Sequence, residues 1–410
     1  MRNAANGPNG EVFLVSAART PIGKFAGSLA DVPATTLGAT AIRAAVERAG
    51  LPTDAVDEVL MGQVIQAGAG QAPARIAALK AGLDVSTSAT TINKVCGSGL
   101  KSIMLATAQI RAGDMEVAVA GGMESMNQGP YLLPKARFGY RLGNGELIDS
   151  TVQDGLWCAT ELVHMGSHAE RVAAKNAVSR EDQDQFALDS HRRAIAAIDD
   201  GRFEAEIVPV PVRQGKQETL FTTDEAPRRG TTLDALARLK PAFALPAAAD
   251  EEPPTTASVT AGNAPGITDG AAATVVASER AVERLGLRPL ARVIGYSQAD
   301  LAPRWLFLAP ISGVQKLLAR IELPIEAFDL IEINEAFAAQ VLADGRELGF
   351  DWSKVNVNGG AIALGHPIGA SGARLVATLL HELQRREGRY GLATLCLGGG
   401  GAVAMAFERV

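Results

Sequence analysis

Apolar and polar positions along this chain predict alternating strands and helices. Glu11–Ala17 (EVFLVSA) is a short apolar run of the kind that forms a buried strand, followed by the loop ARTPIGKFAGSL. Thr35–Ala49 carries the spacing of an Ala-rich amphipathic helix, stopped by Gly50 with Pro52 just beyond. Val56–Val64 predicts another strand, and Ala72–Ala81 another helix closed by Gly82. TTINKVC then ends in CGSG, LKSIMLATAQIRAG has helical periodicity up to Gly113, and MEVAVAGGMES is a buried strand opening into a Gly-rich loop. A strand, Gly turn, helix and strand in that order imply parallel pairing with helices packed on the sheet.

A similar unit stands near the C-terminus. VNVNGGAIALGHPIGASG leads into the helical ARLVATLLHELQRR, then GLATLCLGGG and AVAMAFE. Both units run from a small-residue turn (GSG, ASG) through a helix to a buried strand ending in glycines, which suggests two related α/β halves. Between them the texture changes. Asn127–Pro265 holds most of the charge clusters, the pair Pro253-Pro254, and a helix from about Glu181 to Asp200, with Ser179 placed to cap it and Gly201 to end it. This stretch reads as a large insertion over one half. The division is then 1–126 for the first half, 127–265 for the insertion, 266–288 for the return of the first half, and 289–410 for the second half.

Composition narrows the class. With 410 residues, 47% hydrophobic and 20% charged, the chain is a globular protein of more than one domain. A net charge of −6 argues against a general nucleic-acid binder, which would present a basic face. The three cysteines, Cys96, Cys158 and Cys396, form no disulfide framework and point to a reducing compartment. MRNAANGPNGE lacks the apolar core of a signal peptide, AFERV carries no retention address, and no apolar run reaches membrane-spanning length. The expected location is the cytoplasm.

Four residues carry candidate chemistry. Cys96 stands between a strand and a helix, where the positive helix end favours a thiolate. Gly97 and Gly99 beside it would let a substrate carbonyl approach and leave N–H groups free as an oxyanion hole. Burial as a small hydrophobe at a tight turn serves a lone cysteine equally well. His366, in GHPIGASG, sits in a loop with rigid flanks suited to holding an imidazole against a thiol. Cys396 precedes LGGGG, four glycines that offer it little to pack against. Asn334 opens NEAF after the apolar run FDLIEI, so it emerges at a strand's end, where it could orient a water or cap a helix. Strand ends in related halves converge at one face of a sheet, and these four together suit thioester chemistry.

INKVCGSGLKSI, AGGMES, HMGSHAE, VTAGNAPGITDGAAA, NEAFAAQ, NVNGGAIALGHPIGASGAR and GLATLCLGGG together resemble the thiolase family, in its order and spacing over nearly the whole chain. The resemblance implies a five-layered αβαβα thiolase fold: two similar halves and an inserted loop domain that binds coenzyme A. It implies Cys96 as the acyl-accepting nucleophile, His366 as its base, and Cys396 as the acid/base at the substrate carbon. Asn334, holding a water, would share one oxyanion hole with His366, and the N–H groups of Cys96 and Gly398 would form the other. Leu156, His164, Met165, Ala261, Ala336 and Phe337 match pantetheine-contacting positions, and Arg228 of the pair Arg228-Arg229 the position beside adenine and phosphates. Lys135, Arg137 and Arg141 lie in a segment that in the family helps tetramers assemble. No metal or redox cofactor is implied. The substrates would be acetyl-CoA, acetoacetyl-CoA and CoA, with longer 3-oxoacyl-CoA as the alternative.

Two departures from the family pattern bear on the substrate. Pro265 in GNAPG replaces a common Ser that touches the pantetheine amide, and proline offers neither hydroxyl nor N–H. Trp305–Gly313 (WLFLAPISG) stands where relatives read like MGxGP, so Phe307, Leu308 and Ala309 add bulk that could shorten the acyl pocket or, by shifting the loop, open it. Cys158 has no assigned role. Ketoacyl synthases, the nearest rivals, use two His beside the Cys, whereas here Cys396 fills the second acid/base position. A Cys₂His zinc site from Cys96, Cys396 and His366 is a rival of another class, against which the absence of paired C-x-x-C ligands counts. A non-catalytic lipid-binding relative would be expected to lack one of the four residues.

Overall fold

The computed structural model describes residues 10–215, 217–243 and 256–410. The polar leader, residues 1–9, and the Pro253-Pro254 pair lie outside these described residues. Nine strands make the main sheet: β1 (Val12–Arg19), β2 (Glu58–Gly62), β3 (Ser88–Ile92), β4 (Val117–Ser125), β5 (Thr268–Ser278), β6 (Ala291–Asp300), β7 (Leu330–Ile333), β8 (Tyr390–Leu397) and β9 (Gly401–Arg409). Their order is β7-β8-β9-β6-β1-β5-β4-β2-β3, with the two-residue strand Gly23–Lys24 added at the start of β5. β1 meets β6 only through Phe13 with Arg292 and Leu14 with Ala291, so the sheet is two half-sheets joined along a short seam.

The halves repeat one pattern. β1, β5 and β4 are antiparallel neighbours with β2 parallel to β4, and β6, β9 and β8 are antiparallel neighbours with β7 parallel to β8. The expected parallel pairing of the strands flanking the first Gly turn is indirect, because β3 and β4 each pair parallel with β2. Eight longer helices accompany the strands: α1 (Ala34–Ala49), α2 (Pro73–Ala81), α3 (Ser98–Ala112), α4 (Met165–Lys175), α5 (Arg180–Asp199), α6 (Ala309–Ile321), α7 (Ala338–Leu348) and α8 (Ile368–Arg386). Gly50, Gly82 and Gly113 end α1, α2 and α3 in the left-handed conformation, each returning its N–H to a last-turn carbonyl.

Leu100, Ile103 and Met104 of α3 and Leu375, Val376, Leu379 and Leu380 of α8 share one buried cluster with side chains from both half-sheets. α1 and α2 cover the outer face of the first half-sheet, and α6 and α7 that of the second. The result is five layers, α, β, α, β, α. The central helices approach at glycines. A Cβ on Gly99 would stand 2.7 Å from the N of Ala373, and one on Gly372 2.4 Å from the N of Leu100.

The residues between β4 and β5 carry α4, α5 and a hairpin of Val210–Gln214 with Gln217–Phe221. Ser179 caps α5 by accepting from the N–H of Asp182 at 3.0 Å. A buried ion cluster fixes this region to the first half-sheet. Arg19, at the end of β1, donates Nε to Glu206 at 2.5 Å and Nη1 to Asp224 at 2.7 Å. No helix among the described residues is long and apolar enough to cross a membrane.

Candidate functional site at the junction of the two halves

Cys96 lies on a tight elbow between β3 and α3. Val95 before it has φ +48, a left-handed backbone that costs a β-branched residue about 1–3 kcal/mol. Local bonds hold it there: the N–H of Val95 donates to Asn93 Oδ1 at 3.0 Å, and Ser98 Oγ donates to the Val95 carbonyl at 2.6 Å. The flanking glycines serve packing. A Cβ on Gly97 would meet the Leu397 side chain at 2.6 Å, while Gly99 faces α8. They therefore bring the two halves together at this elbow. The N–H groups of Gly398 and of Cys96 itself hydrogen-bond the Cys96 sulfur. The half-buried Cys96 thiol is pushed up to about 12 by burial, opposed by those two N–H groups.

His366 precedes α8 and is 8% exposed. Its Nδ1 lies 2.5 Å from Ser371 Oγ, and that hydroxyl donates to the Pro367 carbonyl at 2.9 Å. With its proton so committed, the Ser371 oxygen can only accept, so Nδ1 carries the imidazole proton and Nε2 is bare. Asn334, immediately after β7, places Nδ2 at 3.4 Å from Nε2, consistent with donation to that lone pair. Its Oδ1 is buried and has no partner among the described residues. Burial, and then the charge of Arg374, push His366 down to about 3, so the imidazole is neutral. Arg374 is itself held by Glu332 at 3.0 Å.

Cys396 stands near the end of β8, 1% exposed. Its surroundings are not the glycines that follow it. It packs with Leu306, Phe307, Ala336, Phe337, Ala339 and Ala343. Burial raises its thiol well above the ordinary value, and the next contributions come from Cys96 and Asp344, so the two thiols are electrostatic neighbours. Among the described residues no group of three or more His, Cys, Asp and Glu has an arrangement that could hold a metal.

The pantetheine candidates divide. Leu156, at the end of a π-type turn (Thr151–Leu156), packs in the apolar cluster that includes Cys96, while Ala336, Phe337 and Met165 pack in the one that includes Cys396. His164 caps α4 by accepting from the N–H of Gly166 at 3.1 Å and stacks on Phe243 at 4.8 Å. Phe243 meets Phe337 at 6.0 Å, and Phe337 meets Phe307 at 5.2 Å, so an aromatic row runs from His164 to the wall at Cys396. Phe307 is 2% exposed, a buried part of that wall. Ala261 is exposed, and Pro265 is half-buried. Arg228 is apart from these clusters: its backbone N–H donates to His191 Nδ1 at 3.2 Å, and its side chain is exposed. Arg229 is paired with Asp199 at 2.5 Å.

Three supporting carboxylates and amides escaped sequence reasoning. Glu124, in AGGMES, is fully buried and accepts from the N–H groups of Val64, Ile65 and Gly369 at 3.0, 3.1 and 2.8 Å, tying β4 to the start of α8. Glu335, in NEAF, accepts from Ser190 Oγ at 2.7 Å and the Ile362 N–H at 3.0 Å, tying that loop to α5 and to the segment leading to His366. Asn356 holds β7 by bonding both N and O of Ile333 at 2.9 Å. Their partners are mostly backbone groups remote in sequence. Their place inside the motif blocks was the available signal.

Residues 12–280 match the family model "Thiolase, N-terminal domain", and residues 287–409 match "Thiolase, C-terminal domain". An acetyl-CoA acetyltransferase of Pseudomonas aeruginosa is 53% identical over 400 residues, covering 97% of this chain and 99% of its own. One from Escherichia coli is 54% identical over 398 residues, covering 97% of this chain and 98% of its own. Among solved structures, the Bacillus anthracis acetyl-CoA acetyltransferase superposes with a TM-score of 0.93 at 42% identity, over 98% of this chain and 99% of its own. Matched along both halves and sharing the five-layered architecture, the chain belongs to the thiolase family.

Proposed function

We propose that the protein is an acetyl-CoA C-acetyltransferase, which condenses two acetyl-CoA to acetoacetyl-CoA and CoA and also runs the reverse thiolysis. The supporting observations are the two neighbouring thiols with a pair of N–H groups at the Cys96 sulfur, and the neutral imidazole of His366 with its bare Nε2 beside Asn334. Cys96 gives its proton to His366 Nε2 as its sulfur attacks the acetyl carbonyl carbon. The carbon–sulfur bond to CoA breaks, the proton returns to the CoA sulfur, and acetyl-Cys96 remains. Cys396, as thiolate, then takes a proton from the methyl of a second acetyl-CoA. The resulting carbanion attacks acetyl-Cys96, forming the new carbon–carbon bond and expelling the Cys96 thiolate, which regains a proton from Cys396 and restores the starting state.

Cys96 N–H and Gly398 N–H stabilise the oxyanion on the acyl group bound to Cys96. Asn334, through a water, serves the thioester oxygen of the enolate, and His366 Nε2 joins it only while that nitrogen carries a proton. The unpartnered Asn334 Oδ1 is suited to that water. Coenzyme A thioesters are substrates here, and every acid, base and oxyanion donor is supplied by the chain itself, so no resident cofactor is part of the proposal. Leu156, His164, Met165, Ala261, Ala336 and Phe337 would line the pantetheine path, with Arg228 at its outer, phosphate-bearing end.

The acyl pocket is proposed to be short. Phe307 is packed edge-on against Phe337, filling the wall beside Cys396 instead of swinging away from it. Thiolytic cleavage should therefore give a higher kcat/KM for acetoacetyl-CoA than for a 3-oxoacyl-CoA of six to ten carbons. A higher value for the longer substrate would identify a broad-range 3-ketoacyl-CoA thiolase instead.

The imidazole tautomer gives a second test. Ser371→Ala leaves a buried Nδ1–H without its acceptor and should lower kcat by about 10- to 100-fold with little change in KM. Ser371→Thr should recover most of the loss. Unchanged kcat in the alanine variant would remove Ser371 from the mechanism.

A homotetramer in the cytoplasm completes the proposal. Tyr131, Leu133, Phe138, Leu142 and Leu147 are all exposed within one short segment that also carries Lys135, Arg137 and Arg141, an apolar surface suited to a second copy. All three cysteines are free, in keeping with a reducing compartment.

A further inference from the structure

α7 lies over the outer face of the second half-sheet. Leu392 packs with Val341 and Leu348 of this helix, and Cys396 with Ala339 and Ala343. Between those two stripes of α7 comes Asp344, fully buried. No cation pairs with its side chain among the described residues. Gln340 donates Nε2 to Asp344 Oδ2 at 2.6 Å, while Asp344 Oδ1 and Gln340 Oε1 have no partner among the described residues. A carboxyl so buried and so thinly bonded is costly to ionise, and the reaction outlined above gives it no task.

We infer that Asp344 is a positioning residue for Cys396, acting through its charge from the helix whose Ala339 and Ala343 pack in the Cys396 cluster to decide whether Cys396 stands as thiol or thiolate. The inference rests on the acid/base role given to Cys396 above.

The electrostatics agree with the geometry. Burial holds the Asp344 carboxyl well above the ordinary aspartate value, opposed only by Gln340. In turn, Asp344 acts on Cys396 in the raising direction, after burial and Cys96. Other titratable groups on the elements packed against α7 are engaged elsewhere. On α4, His168 faces Arg171 and Glu170 accepts from Ser258 and Val259. On α5, Asp182 pairs with Arg346 and Asp184 with Arg180. Arg304, in the turn Pro303–Leu308, bonds Glu161 at 3.4 Å. α6 presents Val314 and Leu317. Cys396 and Asp344 therefore form a coupled pair of acids, and a charge on one opposes a charge on the other. A charge on Asp344 keeps Cys396 a thiol, protected from alkylation and ready to donate a proton in thiolysis.

The test is the pH dependence of Cys396 alkylation by iodoacetamide, followed by peptide mass spectrometry in the Cys96→Ala protein. Added Asp344→Asn or Asp344→Val should lower the midpoint by about one pH unit, which is about tenfold faster labelling below the midpoint. Identical profiles with and without the Asp344 change would overturn the inference. Stability supplies an independent readout. Because the folded-state value is raised, the stability linked to the protonated carboxyl is full below the unfolded aspartate value and is lost as pH rises through the folded value. Asp344→Asn should therefore gain in Tm over the parent by an increment that grows with pH. An increment flat from pH 4 to 9 would equally overturn the inference. Neither measurement requires turnover, so a labelling shift alongside an unaltered enzyme that makes no acetoacetyl-CoA would refute the proposed function and leave the coupling of Asp344 to Cys396 standing. In the otherwise unaltered enzyme, Asp344→Asn should move the optimum for condensation to lower pH through kcat, with KM unchanged.

Discussion

Cys96→Ala is expected to lower kcat for both directions by about 10,000-fold or more and to abolish acyl-enzyme formation altogether. The sulfur is the atom on which the N–H groups of Gly398 and Cys96 converge, and no other side chain at that position can accept an acyl group. Cys396 is nearby but 1% exposed, enclosed by Phe307, Phe337 and Ala336, and burial raises its thiol well above the ordinary value. It should not substitute. Fold should survive, because the elbow is held by Asn93, Ser98 and backbone bonds and not by the thiol. The check is mass spectrometry of protein quenched with acetyl-CoA present: wild type gains one acetyl group on the peptide containing Cys96, and the variant gains none. An acetylated variant of normal thermal stability would displace Cys96 from the nucleophile's role.

What could be read in the sequence was what local rules govern. The stops at Gly50, Gly82 and Gly113 were legible because a left-handed C-cap needs only its own last turn. The elbow at Cys96 and the strand-end place of Asn334 were legible because apolar runs and turn residues flank them closely. Tertiary partners were not. Gly97 and Gly99 look like openings for a ligand in a linear reading, yet their neighbours are Leu397 and Ala373, contributed by the other half of the chain. Cys396 reads as bare beside four glycines, but α7 and the Phe307 turn supply its packing from elsewhere.

Asp344 shows the same limit most sharply. In LADGRELG it reads as one polar residue among several on an amphipathic helix, with Arg346 and Glu347 near it. Those two are exposed, as the pattern suggests, and Asp344 is not. Glu124 and Glu335 likewise carry charges that a linear pattern assigns to the surface, and both are buried because backbone N–H groups of distant segments receive them. Carboxylates at such positions hold together the segments that bear Asn334 and His366, and that is a property of the closed fold.

Cys396→Ala should separate the two half-reactions. The exchange of the acetyl group between acetyl-CoA and labelled CoA needs only Cys96, His366 and the oxyanion donors, so it should proceed at close to the wild-type rate. Condensation and thiolysis need a proton moved at carbon, and removing that acid/base should lower their kcat by about 100- to 10,000-fold. The acyl-enzyme should then accumulate when acetyl-CoA is supplied, because its outlet to acetoacetyl-CoA is closed. Loss of one buried sulfur from the cluster of Phe307, Phe337 and Ala343 costs about 1 kcal/mol, too little to unfold a protein of this size. Exchange and condensation measured on one preparation give the answer directly. Equal losses in both would mean that Cys396 supports Cys96 itself, and the division of labour proposed for the two thiols would have to be abandoned.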